Sequence, residues 1–445
     1  MNSTSSSPVN AIAAELGGLD PAYAPTPLLN LPALAERLGV AQVLAKDEGR
    51  RMLGSFKSLG GTYAGLRALA RASRMQVADL LAARPKGQPT LVCASDGNHG
   101  LAVAAAARFA GAPARVFLHE GVPNARARRI ENQGAEIVWV PGTYDNAVDA
   151  AAAAACQGAG ILVADTTDDP NDPIVCDVMA GYGVTAAEIR DQVNFAGHGR
   201  PTHVFIQAGV GGLAAAIAEG LSGWLAPPGC IVTVEPETAA CLAPALAAGR
   251  PIRVMGDLRT SAEMLSCGQA SALAVAVLRR HGARAITVPE AELVDAVRVL
   301  SAHDGLATTP SGAAGLAGAM AALADPSHTR SRTRPVEPHS RPPHRTRLGG
   351  PNVSTAIFAP SSTCILSVTP CLAGSTLHDC DHRRSVSGSG TSGAPPTETG
   401  PSALGGRVAL VVGFEAAWAA GGRISAGRGA AMFCRDSILE VRAAI

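Results

Sequence analysis

A chain of 445 residues that is 47% apolar can bury a large core and has room for two or three domains, but with 3% aromatic residues that core must be aliphatic. Its formal net charge of +1 gives no global attraction for nucleic acid or an anionic membrane, and no apolar run long enough to span a bilayer is free of polar breaks. The ten cysteines form no CxxC pair, so they read as reduced thiols of a cytoplasmic protein, and the polar, Ser-rich residues 1–8 lack the basic and apolar regions of a signal peptide.

From residue 25 to about residue 324, short aliphatic runs alternate with helical patterns. Strands are predicted at 42–45, 90–94, 115–119, 136–140, 161–164, 203–207 and 231–235. Helices are predicted between them at 62–72, 100–109, 125–133, 144–156, 182–192 and 213–221. Aliphatic strands of four to six residues separated by helices indicate an α/β fold with a parallel sheet covered on both faces. The composition changes near Pro326. From there to Ser402 there are eleven prolines, eight arginines and five of the eleven histidines, a mixture that cannot bury enough apolar surface to offset its ordering entropy. Residues 326–403 are therefore expected to be disordered. A further strand is expected at 404–412, within a segment (404–415) that can join the sheet, and 416–445 form a weakly patterned tail.

Three constellations carry chemistry. The first is Gly54-Ser55-Phe56-Lys57-Ser58-Leu59-Gly60-Gly61. Only Lys46, Lys57 and Lys86 are lysines among 37 basic residues, so lysine survives where arginine cannot serve. An amine can lose its proton and form a Schiff base, whereas a guanidinium stays charged. Taken alone, Lys57 also reads as a surface charge. The second is Ser95-Asp96-Gly97-Asn98-His99-Gly100, between a strand and a helix, where open α/β sheets bind ligands. Helix capping explains one polar residue there but not four. The third is Gln207-Ala208-Gly209-Val210-Gly211-Gly212-Leu213, a glycine turn between strand and helix. It lacks both the P-loop lysine and the dinucleotide spacing. Backbone N–H groups at such a helix start can cradle a phosphate, although the turn alone also reads as strand–helix tightening. An amine for an aldehyde, a polar loop for a ring and carboxylate, and a glycine cup for a phosphate together describe pyridoxal 5′-phosphate, whose ring is an electron sink for carbanions.

In this order the motifs resemble fold-type II pyridoxal-phosphate enzymes, the tryptophan synthase β-subunit and threonine dehydratase superfamily, and most closely the diaminopropionate ammonia-lyases. The resemblance covers residues 24 to 324. It also rests on Tyr23-Ala24-Pro25-Thr26-Pro27-Leu28, Lys46-Asp47-Glu48, Val234-Glu235-Pro236, Ser266-Cys267-Gly268 and Ser311-Gly312-Ala313-Ala314-Gly315-Leu316. It implies two open parallel-sheet α/β domains with the cofactor in the cleft between them. Residues 62–192 would form the smaller domain, and 1–61 with 193–325 the larger. It implies α,β-elimination of 2,3-diaminopropionate to pyruvate and ammonia, a small amino-acid substrate and a homodimer. Lys57 would anchor the cofactor and take the Cα proton of an L-substrate, and Asp96 that of a D-substrate. Asn98 would contact the pyridoxal 3′-oxygen, and Gly209, Val210, Gly211 and Gly212 would hold the phosphate. Asp165 matches a family aspartate near the β-amino group, and on local sequence reads equally as a strand-end cap. Glu235 reads as a strand-end acid. The alternatives are a threonine/serine dehydratase-like ammonia-lyase and a non-catalytic remnant of the fold. The remnant is suggested by a departure: family members place a Ser, Thr or Cys near the pyridine nitrogen from a late turn, whereas the nearest candidate here, Val411-Val412-Gly413-Phe414-Glu415-Ala416, has no hydroxyl. No metal site is expected. Cys364, Cys371, Cys380, His378 and His382 fit no common zinc spacing. The arginine run from Arg330 to Arg347 has no aromatic interleaving and reads as a solvated tail, so no nucleic-acid partner is expected.

Overall fold

The computed structural model describes residues 8–21, 23–95, 97–324 and 408–412. The described strands are β1 (Leu28–Asn30), β2 (Gln42–Lys46), β3 (Leu91–Ala94), β4 (Ala114–His119), β5 (Glu136–Val140), β6 (Ile161–Leu162), β7 (His203–Gln207), β8 (Cys230–Pro236), β9 (Arg284–Val288) and β10 (Val408–Val412). They form a six-stranded sheet of order β1-β2-β10-β7-β8-β9 and a four-stranded sheet of order β5-β4-β3-β6. The β1–β2 pair is antiparallel and every other pairing is parallel. The fold is thus the expected parallel α/β class. β3 and β7 are buried along their whole length, the condition that makes a parallel strand read as an unbroken aliphatic run.

β10 sits in the centre of the larger sheet. Val411 pairs with Ala45 on one side and Phe205 on the other. The strand expected at 404–412 is therefore present over Val408–Val412. The segment expected to be disordered, the Cys/His cluster, the arginine run, the hydroxyl-free turn after Val412 and the tail lie outside the described residues, as does Asp96.

Two helices differ from expectation in a way that moves the site. The helix expected at 62–72 is Lys57–Ser73, so Lys57 opens a helix rather than riding a loop. Gly60 and Gly61 read as turn residues, yet they are helical and buried. A Cβ on Gly60 would stand 2.5 Å from the Val178 carbonyl oxygen, and one on Gly181 would stand 2.7 Å from Gly60 Cα. Close packing against the helix Pro173–Phe195 offsets the roughly 1 kcal/mol per glycine that disfavours helix. That second helix was expected only at 182–192. It starts earlier because Asp172 Oδ1 accepts from the N–H groups of Ile174 (2.8 Å) and Val175 (3.0 Å), with Pro173 in the first turn.

A buried ionic cluster ties β2 to the helix Pro173–Phe195. Lys46 Nζ donates to Thr26 O (2.7 Å), Glu188 Oε2 (2.7 Å) and Gln192 Oε1 (2.9 Å), using all three of its protons. Arg51 grips Glu188 through Nη1 and Nη2 at 2.7 Å each, and Glu48 through Nε (2.9 Å) and Nη2 (2.7 Å). Thr26 Oγ1 donates to Glu48 Oε1 at 2.8 Å. Two cations balance two anions, and each partner is out of water. Burial pulls the Lys46 ammonium below its usual value, partly opposed by Glu188 and Glu48.

Candidate active site

Lys57 follows a turn in which Leu53 and Gly54 take left-handed backbone, at φ 63° and 83°. Its Nζ lies 2.5 Å from Asp165 Oδ2, while Asp165 Oδ1 accepts from the Tyr144 hydroxyl at 3.1 Å. The Tyr182 ring, edge-on to Phe56, has its centroid 6.0 Å from Nζ. Burial by itself would depress the Lys57 ammonium, but the Asp165 charge and hydrogen bond reverse this and hold it above its usual value. Burial by itself would raise Asp165, but the Lys57 charge, with the hydrogen bonds from Lys57 and Tyr144, holds the carboxyl well below the usual carboxylate range. The two are therefore an ion pair at neutral pH, and Lys57 must give up its proton before it can attack an aldehyde.

This gives a direct test. Replacing Asp165 by asparagine removes the counter-charge and keeps the burial, so the Lys57 pKa falls. Each unit of fall gives about tenfold more free amine at neutral pH. Lys57 of the cofactor-free variant is expected to react faster than wild type with an amine-directed reagent at pH 7, read by mass spectrometry. An unchanged rate would show that Asp165 does not set the state of the amine.

The end of β3 supplies the second wall. Ser95 Oγ accepts from Gly97 N and Gly100 N, each at 2.8 Å, which ties the end of β3 to the first turn of the helix Asn98–Ala110. Ser95 and Asn98 both line the pocket that holds Lys57 and Asp165. His99 Nε2 lies 2.8 Å from the Val163 carbonyl, which makes that nitrogen the donor. Burial keeps the ring below its usual pKa and so neutral, with Nδ1 an acceptor.

The third wall is the turn after β7. Gly209, Val210, Gly211 and Gly212 line the same pocket. Gly211 precedes the helix Gly212–Leu221 at φ 93°, a conformation costly for any residue with a Cβ. The helix start offers unpaired N–H groups and the positive end of a dipole. Behind the cup, the Glu235 carboxylate accepts from Leu242 N (2.6 Å) and Ala243 N (2.8 Å), and Cys241 Sγ donates to Gly209 O at 3.5 Å. Glu235 thus anchors the segment that backs the cup. Burial pushes its pKa up to about 7 against the pull of those amides.

The fold therefore gathers Lys57, Asn98, Asp165 and Gly209–Gly212, far apart in sequence, around one pocket. It also brings in Tyr144, His99, Gln207, Cys267 and Ser311, which sequence reasoning did not assign to the site. His99, Gln207, Cys267 and Ser311 lay inside quoted motifs, which was the available signal; of these Gln207 ends β7. Tyr144 had none, because its link to Asp165 crosses the fold. The chemistry of the donor set fits pyridoxal phosphate: an amine for the aldehyde, a side-chain amide, a helix start for the phosphate, and a buried acceptor, Gln207 Oε1, that has no protein partner. Among the described residues no group of three His, Cys, Asp or Glu is placed to hold a metal, and no helix is long and apolar enough to cross a membrane.

A pocket between parallel-sheet strand ends, holding a lysine opposite a glycine cup, defines a cofactor-dependent enzyme of the pyridoxal-phosphate type. Residues 19–336 match the family described as pyridoxal-phosphate dependent enzyme, and the chain belongs to it. The diaminopropionate ammonia-lyase of Escherichia coli strain K12 is 33% identical over 311 residues, spanning 68% of this chain and 78% of its own. A probable D-serine dehydratase of Burkholderia pseudomallei strain 668 is 30% identical over 332 residues, spanning 68% of this chain and 73% of its own. Among solved structures, the Escherichia coli diaminopropionate ammonia-lyase in complex with an aminoacrylate–pyridoxal phosphate azomethine reaction intermediate is similar with a TM-score of 0.64 and 30% identity, covering 73% of this chain and 84% of its own.

Proposed function

We propose that this enzyme cleaves 2,3-diaminopropionate by α,β-elimination, yielding pyruvate and ammonia. The observation that carries the reading is the Lys57–Asp165 pair at 2.5 Å, in one pocket with Asn98 and the glycine cup. The similarity to diaminopropionate ammonia-lyases names the substrate class. When bound, pyridoxal phosphate supplies the electron sink that makes the Cα proton removable.

The residues divide the remaining work. Gly209, Val210, Gly211 and Gly212 would hold the phosphate with backbone N–H groups, Asn98 would orient the ring oxygen, and Lys57 would anchor the aldehyde. Once the substrate's amine has displaced it from the aldehyde carbon, the freed Lys57 amine would remove the Cα proton of an L-substrate. Asp96, assigned from its motif, removes it from a D-substrate on the opposite face. Asp165, ionised and 7% exposed, attracts the β-ammonium and steadies it before it leaves. The reading takes residues 62–192 as the smaller lobe, supported by the four-stranded sheet being drawn wholly from that segment. It includes a cytoplasmic setting, in keeping with Cys93, Cys156, Cys176, Cys230, Cys241 and Cys267 standing outside any disulfide, and a homodimer, for which sedimentation is the check.

The test is pyruvate release by cofactor-loaded protein from D- and L-2,3-diaminopropionate, serine and threonine. Turnover of the diamino acid is expected to exceed that of the hydroxy acids, and the reverse order would make the protein a dehydratase. A cofactor-bound preparation that releases no pyruvate from any of them would make it a non-catalytic remnant. Replacing Asp96 by asparagine is expected to lower turnover of the D-isomer by about 10²-fold or more while sparing the L-isomer. Equal loss on both isomers would contradict the two-base assignment.

A further inference from the structure

We propose that Gln207 holds the ring nitrogen of the cofactor, with Oε1 accepting the pyridinium N–H. This rests on the family's cofactor and not on which amino acid is cleaved. Gln207 is the last residue of β7, two positions before the glycine cup, and is 5% exposed. It lines the pocket that holds Lys57, and its Oε1 is buried with no hydrogen-bond partner in the protein. A buried acceptor left unpaired is costly, so a site that keeps one is built for a donor brought by a ligand.

The chemistry of the cofactor narrows the donor. Its aldehyde reacts with an amine, and its phosphate and ionised ring oxygen accept hydrogen bonds. Only the ring nitrogen, when protonated, presents an N–H. Lys57 and the helix-start amides serve the first two, and the Asn98 amide is available to the third. Another pocket-lining acceptor without a protein partner is His99 Nδ1. That atom lies 3.2 Å from where a Cβ on Gly61 would begin, so it faces the backbone of the helix Lys57–Ser73. Gln207, buried and next to the glycine cup, is the acceptor assigned to the ring. Its place in the sheet agrees: Val412 of β10 pairs with Ile206, so Gln207 stands one residue beyond the last described pairing of β10. Residues 413–416, next in the sequence, offer no hydroxyl.

The experiment pairs the residue with the ligand atom. Cofactor-free wild type and Gln207→Leu are titrated with pyridoxal phosphate and with its 1-deaza analogue, in which carbon replaces the ring nitrogen, without any amino acid. Gln207→Leu is expected to bind pyridoxal phosphate about tenfold or more weakly, and to bind the analogue as wild type does. Equal loss on both ligands would assign Gln207 a packing role and overturn the proposal. No loss on either would also overturn it, and would follow if Gln207 met only a substrate ammonium. Gln207→Glu covers the case in which the leucine variant does not fold. Its carboxylate is expected to keep the ring of ¹⁵N-labelled cofactor protonated to higher pH than in wild type, read from the nitrogen resonance. A protonation midpoint unmoved by that substitution would sink the assignment.

Discussion

Replacing Lys57 by arginine is expected to leave a folded protein that neither attaches the cofactor nor releases pyruvate, with turnover falling by about 10⁴-fold or more. The guanidinium keeps the charge that Asp165 needs, so the buried carboxylate remains paired. It cannot shed a proton, so it cannot take the aldehyde. Borohydride reduction followed by intact-mass measurement should show covalently attached cofactor in wild type and none in Lys57→Arg. Alanine makes the contrast. Asp165, 7% exposed, would then be a buried charge without its cation, and stability should fall by about 3–5 kcal/mol. An arginine variant that retained reducible, covalently held cofactor would move the anchor away from Lys57.

The second large effect concerns stability. Replacing Glu188 by alanine removes the anion shared by Lys46 and Arg51, leaving two buried cations against Glu48 alone. The expected cost is about 3–5 kcal/mol, measured by chemical denaturation. The exposed pair Arg115–Glu136 serves as the control, because Glu136→Ala should cost no more than about 1 kcal/mol. The pH dependence has a definite sign. Burial alone would raise the Glu188 carboxyl, but Arg51 and Lys46 bring it below its usual value of 4.5. Its contribution to stability is therefore fully present above pH 4.5 and is lost as pH falls below that value. Wild type should lose stability on acidification through that range, and Glu188→Ala should show a shallower loss there. Equal acid slopes in the two proteins would remove Glu188 from the account.

The cluster also completes the argument from lysine rarity. Lys57 stood out because glycines flank it. Lys46 survives in the same arginine-rich chain for a different reason. It sits at 0% exposure and directs three protons at three acceptors, which a compact ammonium can do and a planar guanidinium of different shape cannot. Nothing near Lys46 in sequence reveals this, because Glu188 is 142 residues away.

Local sequence by itself determined strands β2 to β8 and β10, the glycine turn and the chemical character of the site, but did not mark β1 or β9. An aliphatic run such as that of β7 is buried on both faces wherever it is placed, and a glycine turn before a helix offers amides in any context. The pairing of Lys57 with Asp165, across 108 residues, was decided only by the tertiary structure. So were the early start of the Lys57 helix, where contact with Gly181 and Val178 outweighs the helix-breaking tendency of two glycines, and the entry of β10 between β2 and β7. The physical reason is common to all three. Propensity and hydrogen-bonding capacity belong to a residue and its neighbours in the chain, whereas the protonation state of a lysine and the space beside a glycine depend on what packs against them.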